Sequence, residues 1–131
     1  MDDAFLIETG EKRTIRFASI DGKPAPAKDD LESLKPGNRA KFATKMSMLA
    51  LNGWLKSPEQ MRQIGEDGIW EIKIDGHRMA CFNEGEVWFM THVFKKQRGD
   101  GRLKKQIARA IEIREAHRTD RKKADAKKVE K

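Results

Sequence analysis

The sequence holds one cysteine, no tyrosine and nowhere the ~18 consecutive apolar residues of a membrane-spanning helix. A single thiol, Cys81, excludes an internal disulfide, and its place in an apolar run reads as a buried structural side chain. Without a long apolar stretch no membrane association is expected. The acidic start Met1-Asp2-Asp3 differs from the positively charged start of a signal peptide, which points to the cytoplasm. The three histidines, His77, His92 and His117, stand at spacings of 15 and 25, which offer no metal-ligand cluster, so no metal and no other cofactor is expected. There is no Walker loop and no GxSxG elbow.

What the chain does have is positive charge, concentrated at one end. Residues 95–131 carry fifteen Lys or Arg against six Asp or Glu, net +9, whereas residues 1–94 carry thirteen against fifteen, net −2. A basic segment, unlike a uniformly basic surface, implies a polyanionic partner such as nucleic acid or a ribosome. At 131 residues the chain fits one domain with one core. That domain is expected over residues 1–118, with a basic, disordered tail over 119–131.

The hydrophobic pattern predicts an α+β domain. Thr14 to Ile20 mixes β-branched and aromatic residues and ends at Asp21-Gly22, as a strand closed by a turn does. A short helical segment follows around Asp29 to Leu34, then a longer helix from Asn38 to Leu51 with Phe42, Met46 and Leu49 on its inner face. Ser57-Pro58-Glu59 reads as the opening of a one- or two-turn helix through Arg62. The period then changes to two. Trp70, Ile72 and Ile74 alternate with Glu71, Lys73 and Asp75, and Asp75-Gly76 signals a hairpin into Arg78 to Phe82. Glu84-Gly85 offers a second turn into Val87 to Phe94, and after Gly99-Asp100-Gly101 a basic amphipathic helix runs to about His117. The order is β-α-α-β-β-β-α, with an antiparallel sheet, helices packed on one face and a basic C-terminal helix.

A two-residue turn at Asp75-Gly76 sets Lys73 opposite Arg78, two cations whose mutual repulsion an acid such as Glu71 relieves or an anion exploits. Carried through Glu84-Gly85, the same register puts Thr91 beside Arg78 and Lys95 one step further on that face, so that Lys73, Arg78 and Lys95 converge, with His92 facing away. His117, at a predicted helix end, suits the helix dipole there.

The run from Asp67 to Gln97 resembles the central signature of the phage-derived HigB-like branch of the RelE/ParE toxin superfamily. The matching residues are Gly68-Ile69-Trp70-Glu71-Ile72-Lys73, then His77-Arg78, then His92-Val93-Phe94-Lys95-Lys96, and weaker similarity extends from about Arg13 to Arg118. The resemblance implies a RelE-like fold and a metal-independent endoribonuclease that cuts messenger RNA in the ribosomal A site. It further implies growth arrest on expression and a cognate helix-turn-helix antitoxin. On this reading Arg78 clamps the phosphate, Lys73 and Lys95 add charge, and His92 serves as acid or base. Lys96, Arg98, Arg102, Lys104 and Lys105 would bind RNA phosphates. Two departures stand out: Lys73 occupies a position usually held by arginine, losing bidentate geometry, and the chain lacks the tyrosine that several superfamily members place at the site. The competing readings are a non-catalytic RNA- or ribosome-binding module and a phage protein that binds a host protein.

Overall fold

Alternation over residues 69–74 followed by Asp75-Gly76 forms a hairpin, as its period and turn residues dictate, and the sheet is built outward from it. The computed structural model describes residues 3–129. In chain order the elements are β1 (Leu6–Thr9), β2 (Thr14–Phe17), β3 (Ser19–Ile20), β4 (Lys23–Pro24), α1 (Ala27–Ser33), α2 (Pro36–Asn52), β5 (Met61–Ile64), β6 (Ile69–Ile74), β7 (His77–Glu84), β8 (Val87–Lys95) and α3 (Asp100–Val129). Six strands form one sheet in the order β1-β2-β8-β7-β6-β5, and β3 with β4 makes a separate two-stranded ribbon.

The α+β class holds, but the sheet is mixed. β2 runs parallel to β8, from Thr14 opposite Val87 to Phe17 opposite Met90, while the other pairs are antiparallel. Two helices and five strands separate β2 from β8 in the chain, ample length for the return in the same direction that parallel pairing needs. The predicted first strand breaks at Ala18, whose N–H donates to the Met90 carbonyl. Its remainder leaves the sheet as β3, turning into β4 through Asp21 and Gly22 with φ of 51° and 77°, the left-handed pair of a tight hairpin turn.

The helices do not share one face. α1 and α2 set Leu31, Phe42, Met46 and Leu49 against Ile72, Ile74, Met79 and Met90, whereas α3 sets Ala110 and Ile113 against Ile64, Ile69, Phe82 and Phe89 on the opposite face. The cause is in the strands: the middle of β7 and of β8 is buried at every successive position, and a sheet apolar on both sides needs a layer on each.

Three further differences from the sequence reading concern boundaries. Ser57 to Gln60 form turns and not a helix, and Met61–Ile64 becomes an edge strand because the open side of β6 is a ready ladder, with Met61 opposite Ile72 and the Lys73 N–H donating to the Gln60 carbonyl. β1, an irregular four-residue strand, was not legible in the sequence. The last helix does not stop near His117. It continues through 119–129, held where Asp120 accepts from the Ser19 hydroxyl (2.5 Å) and the Gly22 N–H (2.8 Å) and where Arg118 and Arg121 lie 3.7 and 3.6 Å from Glu84. Residues 130 and 131 of the expected tail lie outside the described residues. Among the described residues no helix is long and apolar enough to cross a membrane.

Tight packing of the β1–β2 loop on the end of α2 gives a paired test. A Cβ at Gly10 would run into the Ala50 carbonyl, whereas one at the helical Gly101 would meet nothing. Gly10→Ala should lower the unfolding free energy by about 1–3 kcal/mol in urea denaturation, and Gly101→Ala should raise it by up to about 1 kcal/mol.

Candidate functional site

Lys73 and Arg78 stand directly opposite on β6 and β7, as the two-residue turn requires. Neither hangs free. The Lys73 ammonium donates to the Pro58 carbonyl (3.1 Å), and the buried Arg78 guanidinium donates through Nη1 to the carbonyls of Ile74 (2.7 Å) and His77 (2.9 Å). Those two bonds lock the plane of the guanidinium against the hairpin turn and leave its Nη2 without a bond among the described residues.

The acid beside them is Glu71. It is 1% exposed, accepts from Arg62 Nε at 2.8 Å and lies 3.8 Å from Arg78 Nε through the same Oε1, while its Oε2 is buried without a partner among the described residues. One carboxylate therefore serves three cations, Arg62, Lys73 and Arg78. The imbalance registers on Lys73: burial first, then Arg62 and Arg78, lower its pKa, Glu71 opposes them, and Lys96 adds to the lowering. Where neighbouring cations lower the pKa of a lysine in this way, an anion would relieve the repulsion.

Around this pair lies an open cleft of about 560 Å³ between the hairpin end and α2, lined by Lys41, Thr44 and Lys45 of the helix with Glu59, Lys73, Asp75 and Arg78. Four cations face two acids there, and one of those acids, Asp75, is already bound to Lys41 at 3.3 Å.

The structure separates Lys95 from that cluster. The β7–β8 turn is centred on Gly85-Glu86, with Glu84 opposite Val87, and the ladder then takes up an extra residue: Cys81 pairs with Met90 but Ala80 pairs with His92. Thr91 is that bulge, its hydroxyl donating to the Ala80 carbonyl (3.1 Å). The expected register is thereby overturned. Phe94, not Thr91, lies opposite Arg78, and Lys95 lies opposite His77 on the other face, beside Asp30 and Ser33 in a small pocket. Lys96, just past the end of β8, whose N–H donates to the Gly76 carbonyl (2.9 Å), is the lysine whose charge reaches Lys73.

The bulge also turns His92 the other way. Paired with Ala80, it faces the same side as Arg78, contrary to the sequence reading. It is nevertheless fully buried under α3, with Nε2 2.9 Å from Gln106 Oε1, Nδ1 3.1 Å from the Thr91 hydroxyl and the ring tilted over Phe94 at 5.4 Å. Burial drives its pKa down to about 4, so the ring is neutral at neutral pH. His117 is likewise a packing residue in mid-helix, not a helix-end charge: it accepts the Ser19 N–H through Nδ1 (2.9 Å) and lies 4.2 Å from Phe89, and burial lowers its pKa. Cys81 is buried and its thiol pKa is pushed up, in keeping with a structural role. Arg98 on the loop and Arg102, Lys104 and Lys105 on the first turns of α3 are exposed, and none lines the cleft.

Sequence reasoning missed Arg62, because residues 57–62 read as a helix, and the α2 wall of the cleft; their only signal was the off-face placement of Lys41 and Lys45 on the predicted helix. Among the described residues no group of three His, Cys, Asp or Glu side chains could hold a metal ion.

Compared with known proteins, residues 29–116, more than half of the chain, match the family model described as phage derived protein Gp49-like. No curated protein matches the chain.

The buried His92 makes stability depend on pH in a definite direction. Its pKa is near 6.5 unfolded and about 4 folded, so between those values the unfolded chain binds more protons. Its contribution is complete above pH 6.5 and is lost as pH falls towards 4, with His117 acting in the same sense. Urea midpoints should therefore drop between pH 6.5 and 4, and His92→Gln should flatten the drop; equal slopes for the two proteins would place the proton uptake elsewhere.

Proposed function

The chain belongs to the phage-derived Gp49-like family, a RelE-like, toxin-like family, and from that membership we propose that it is the toxin of a type II toxin–antitoxin system, HigB-like in kind, that cuts messenger RNA on the ribosome. The observation that carries the reading is the Lys73–Arg78 pair at the mouth of a cationic cleft, with Lys96 close enough to be felt and with one buried acid among them.

Cleavage of this kind needs no cofactor. A ribose 2′-hydroxyl loses its proton to solvent water and attacks the adjacent phosphorus, the 2′-O–P bond forms as the P–O5′ bond breaks, the departing 5′-oxygen takes up a proton, and the products are a 2′,3′-cyclic phosphate and a 5′-hydroxyl. The negative charge that gathers on the non-bridging oxygens is what the protein must stabilise. Arg78 is suited to this because its guanidinium is held in place by two backbone carbonyls before substrate arrives, with Nη2 left to donate. Lys73 adds a point charge, and its lowered pKa makes it the better proton donor to the departing 5′-oxygen. His92, neutral and closed in beneath Gln106, takes no direct part in this scheme; it fixes the strand that leads into Lys96.

The partners of this reading are messenger RNA in the ribosomal A site and an antitoxin of the helix-turn-helix type that covers the cleft. The sealing of His92, together with the absence of tyrosine, favours one second reading, a module that grips RNA or the ribosome through the same cations and leaves the strand intact.

Mapping of new 5′ ends on messenger RNA, with and without translating ribosomes, separates the two. Wild-type protein should generate 5′-hydroxyl ends, Arg78→Ala should reduce their rate by about 10²–10³-fold, and His92→Gln should change it far less than Arg78→Ala does. Intact RNA that is nonetheless retained by the wild-type protein would establish the binding module instead.

A further inference from the structure

Two of the three tryptophans are accounted for by packing: Trp70 and Trp88 meet edge to face with ring centroids 6.0 Å apart. The third, Trp54, is 66% exposed, with Leu51 beside it in sequence at 52%, and these are the two most exposed large apolar side chains among the described residues. Gly53, in the left-handed conformation at φ 82°, ends α2 and throws Trp54 off the helix axis.

The chain around the end of α2 is cationic. The N–H groups of Lys12 and Arg13 both donate to the Ala50 carbonyl at 3.0 Å, which pins the β1–β2 loop on the last turn of α2, and the Arg13 guanidinium carbon lies 3.8 Å from where a Gly53 Cβ would stand. Lys56 follows two residues after Trp54 in an exposed loop. Lys12 and Arg13 thus lie against the glycine that precedes Trp54 and Lys56 follows it in the chain, three cations with Glu11 as the acid of the β1–β2 loop.

The patch is also continuous with the cleft. Thr44 lines the cleft, and Leu51 is seven residues on, the same helix face two turns and about 10 Å away, with the exposed, small Ser47 between them. We propose that Trp54 is a base-stacking platform for single-stranded RNA, so that a strand seated at the Lys73–Arg78 cleft runs along the exposed face of α2 and lays an unpaired base on the indole while Lys12, Arg13 and Lys56 hold its phosphates. The inference rests on the cleft being an RNA site. Charge complementarity argues for nucleic acid over a protein partner: a polyanion with planar apolar faces fits an exposed tryptophan with Lys12 and Arg13 against the residue before it and Lys56 two residues on, and every base offers such a face.

The test uses the full chain and a 2′-O-methyl oligouridine of about twelve nucleotides, which lacks the attacking hydroxyl and so reports binding apart from cleavage. Titration should quench the emission of the exposed tryptophan, and the quenching should be absent in Trp54→Phe. Trp54→Ala should bind roughly five- to a hundredfold more weakly at constant salt, whereas an abasic strand of the same length should bind wild type and Trp54→Ala alike. Because the side chain is exposed, both variants should retain the wild-type unfolding midpoint. Wild-type affinity in Trp54→Ala, or an equal loss with the abasic strand, would overturn the inference; unchanged emission would do so too and leave the patch to a protein partner. Cleavage of ordinary messenger RNA, measured in parallel, reports on the nuclease reading independently.

Discussion

Between the Cys81–Met90 and Ala80–His92 pairs the central ladder absorbs one extra residue, Thr91, and the placement of every side chain beyond it depends on that insertion. Period-two alternation allows no smaller adjustment: adding a single residue exchanges the two faces for the rest of the strand. Before the bulge, Trp88 and Met90 belong to the layer under α1 and α2; after it, His92 and Phe94 point towards α3, and Lys95 is carried across the sheet. The Thr91 hydroxyl stitches the irregularity closed by serving the Ala80 carbonyl, so the backbone that the bulge disturbs is not left short of a donor. Without it His92 would face the helices of the first layer, and Gln106 would have no imidazole to meet.

The second organising feature is the carboxylate of Glu71, desolvated and shared between Arg62 and Arg78. A buried ion group of this kind adds little net stability, because desolvation offsets most of the attraction, yet removing one member leaves a charge stranded. Its effect is better described as geometric. Glu71 gathers an arginine from the edge strand β5 and one from β7 towards a single oxygen, and with the hairpin carbonyls it fixes the orientation of Arg78. The opposed Lys73 and Arg78 are tolerated since Glu71 offsets part of their repulsion, and the remainder leaves an excess of positive charge at the cleft.

How much of this was legible in the sequence follows from which signals are local. The β6–β7 hairpin was, because alternation and Asp-Gly act over a few residues, and with it the Lys73–Arg78 pair. The core face of α2 was too, since Phe42, Met46 and Leu49 repeat at helical spacing. The bulge was not, because Thr91 looks like any β-branched strand residue and its role is set by the partner strand. Nor were the parallel placement of β2 or the edge strand β5, both of which answer to the hydrogen-bonding needs of strands distant in the chain. The second helical layer could have been inferred from the consecutive apolar residues Val87 to Met90 in β8, a pattern that a sheet covered on one side does not produce. The continuation of α3 depends on Asp120 and Glu84 finding partners over a hundred and some thirty residues away respectively, information absent from its own mean composition.

The two margins of the sheet, β1 and β5, are only four residues long, and β1 is irregular between Leu6 and Glu8. Since alternate residues of an antiparallel edge point their amide groups outward, each margin presents about two residues' worth of free donors and acceptors, too few to template a further strand. Self-association by sheet extension is thereby discouraged in a molecule whose central strands are largely buried. For the same reason, a molecule that binds by lending a strand would find little backbone to pair with at either margin.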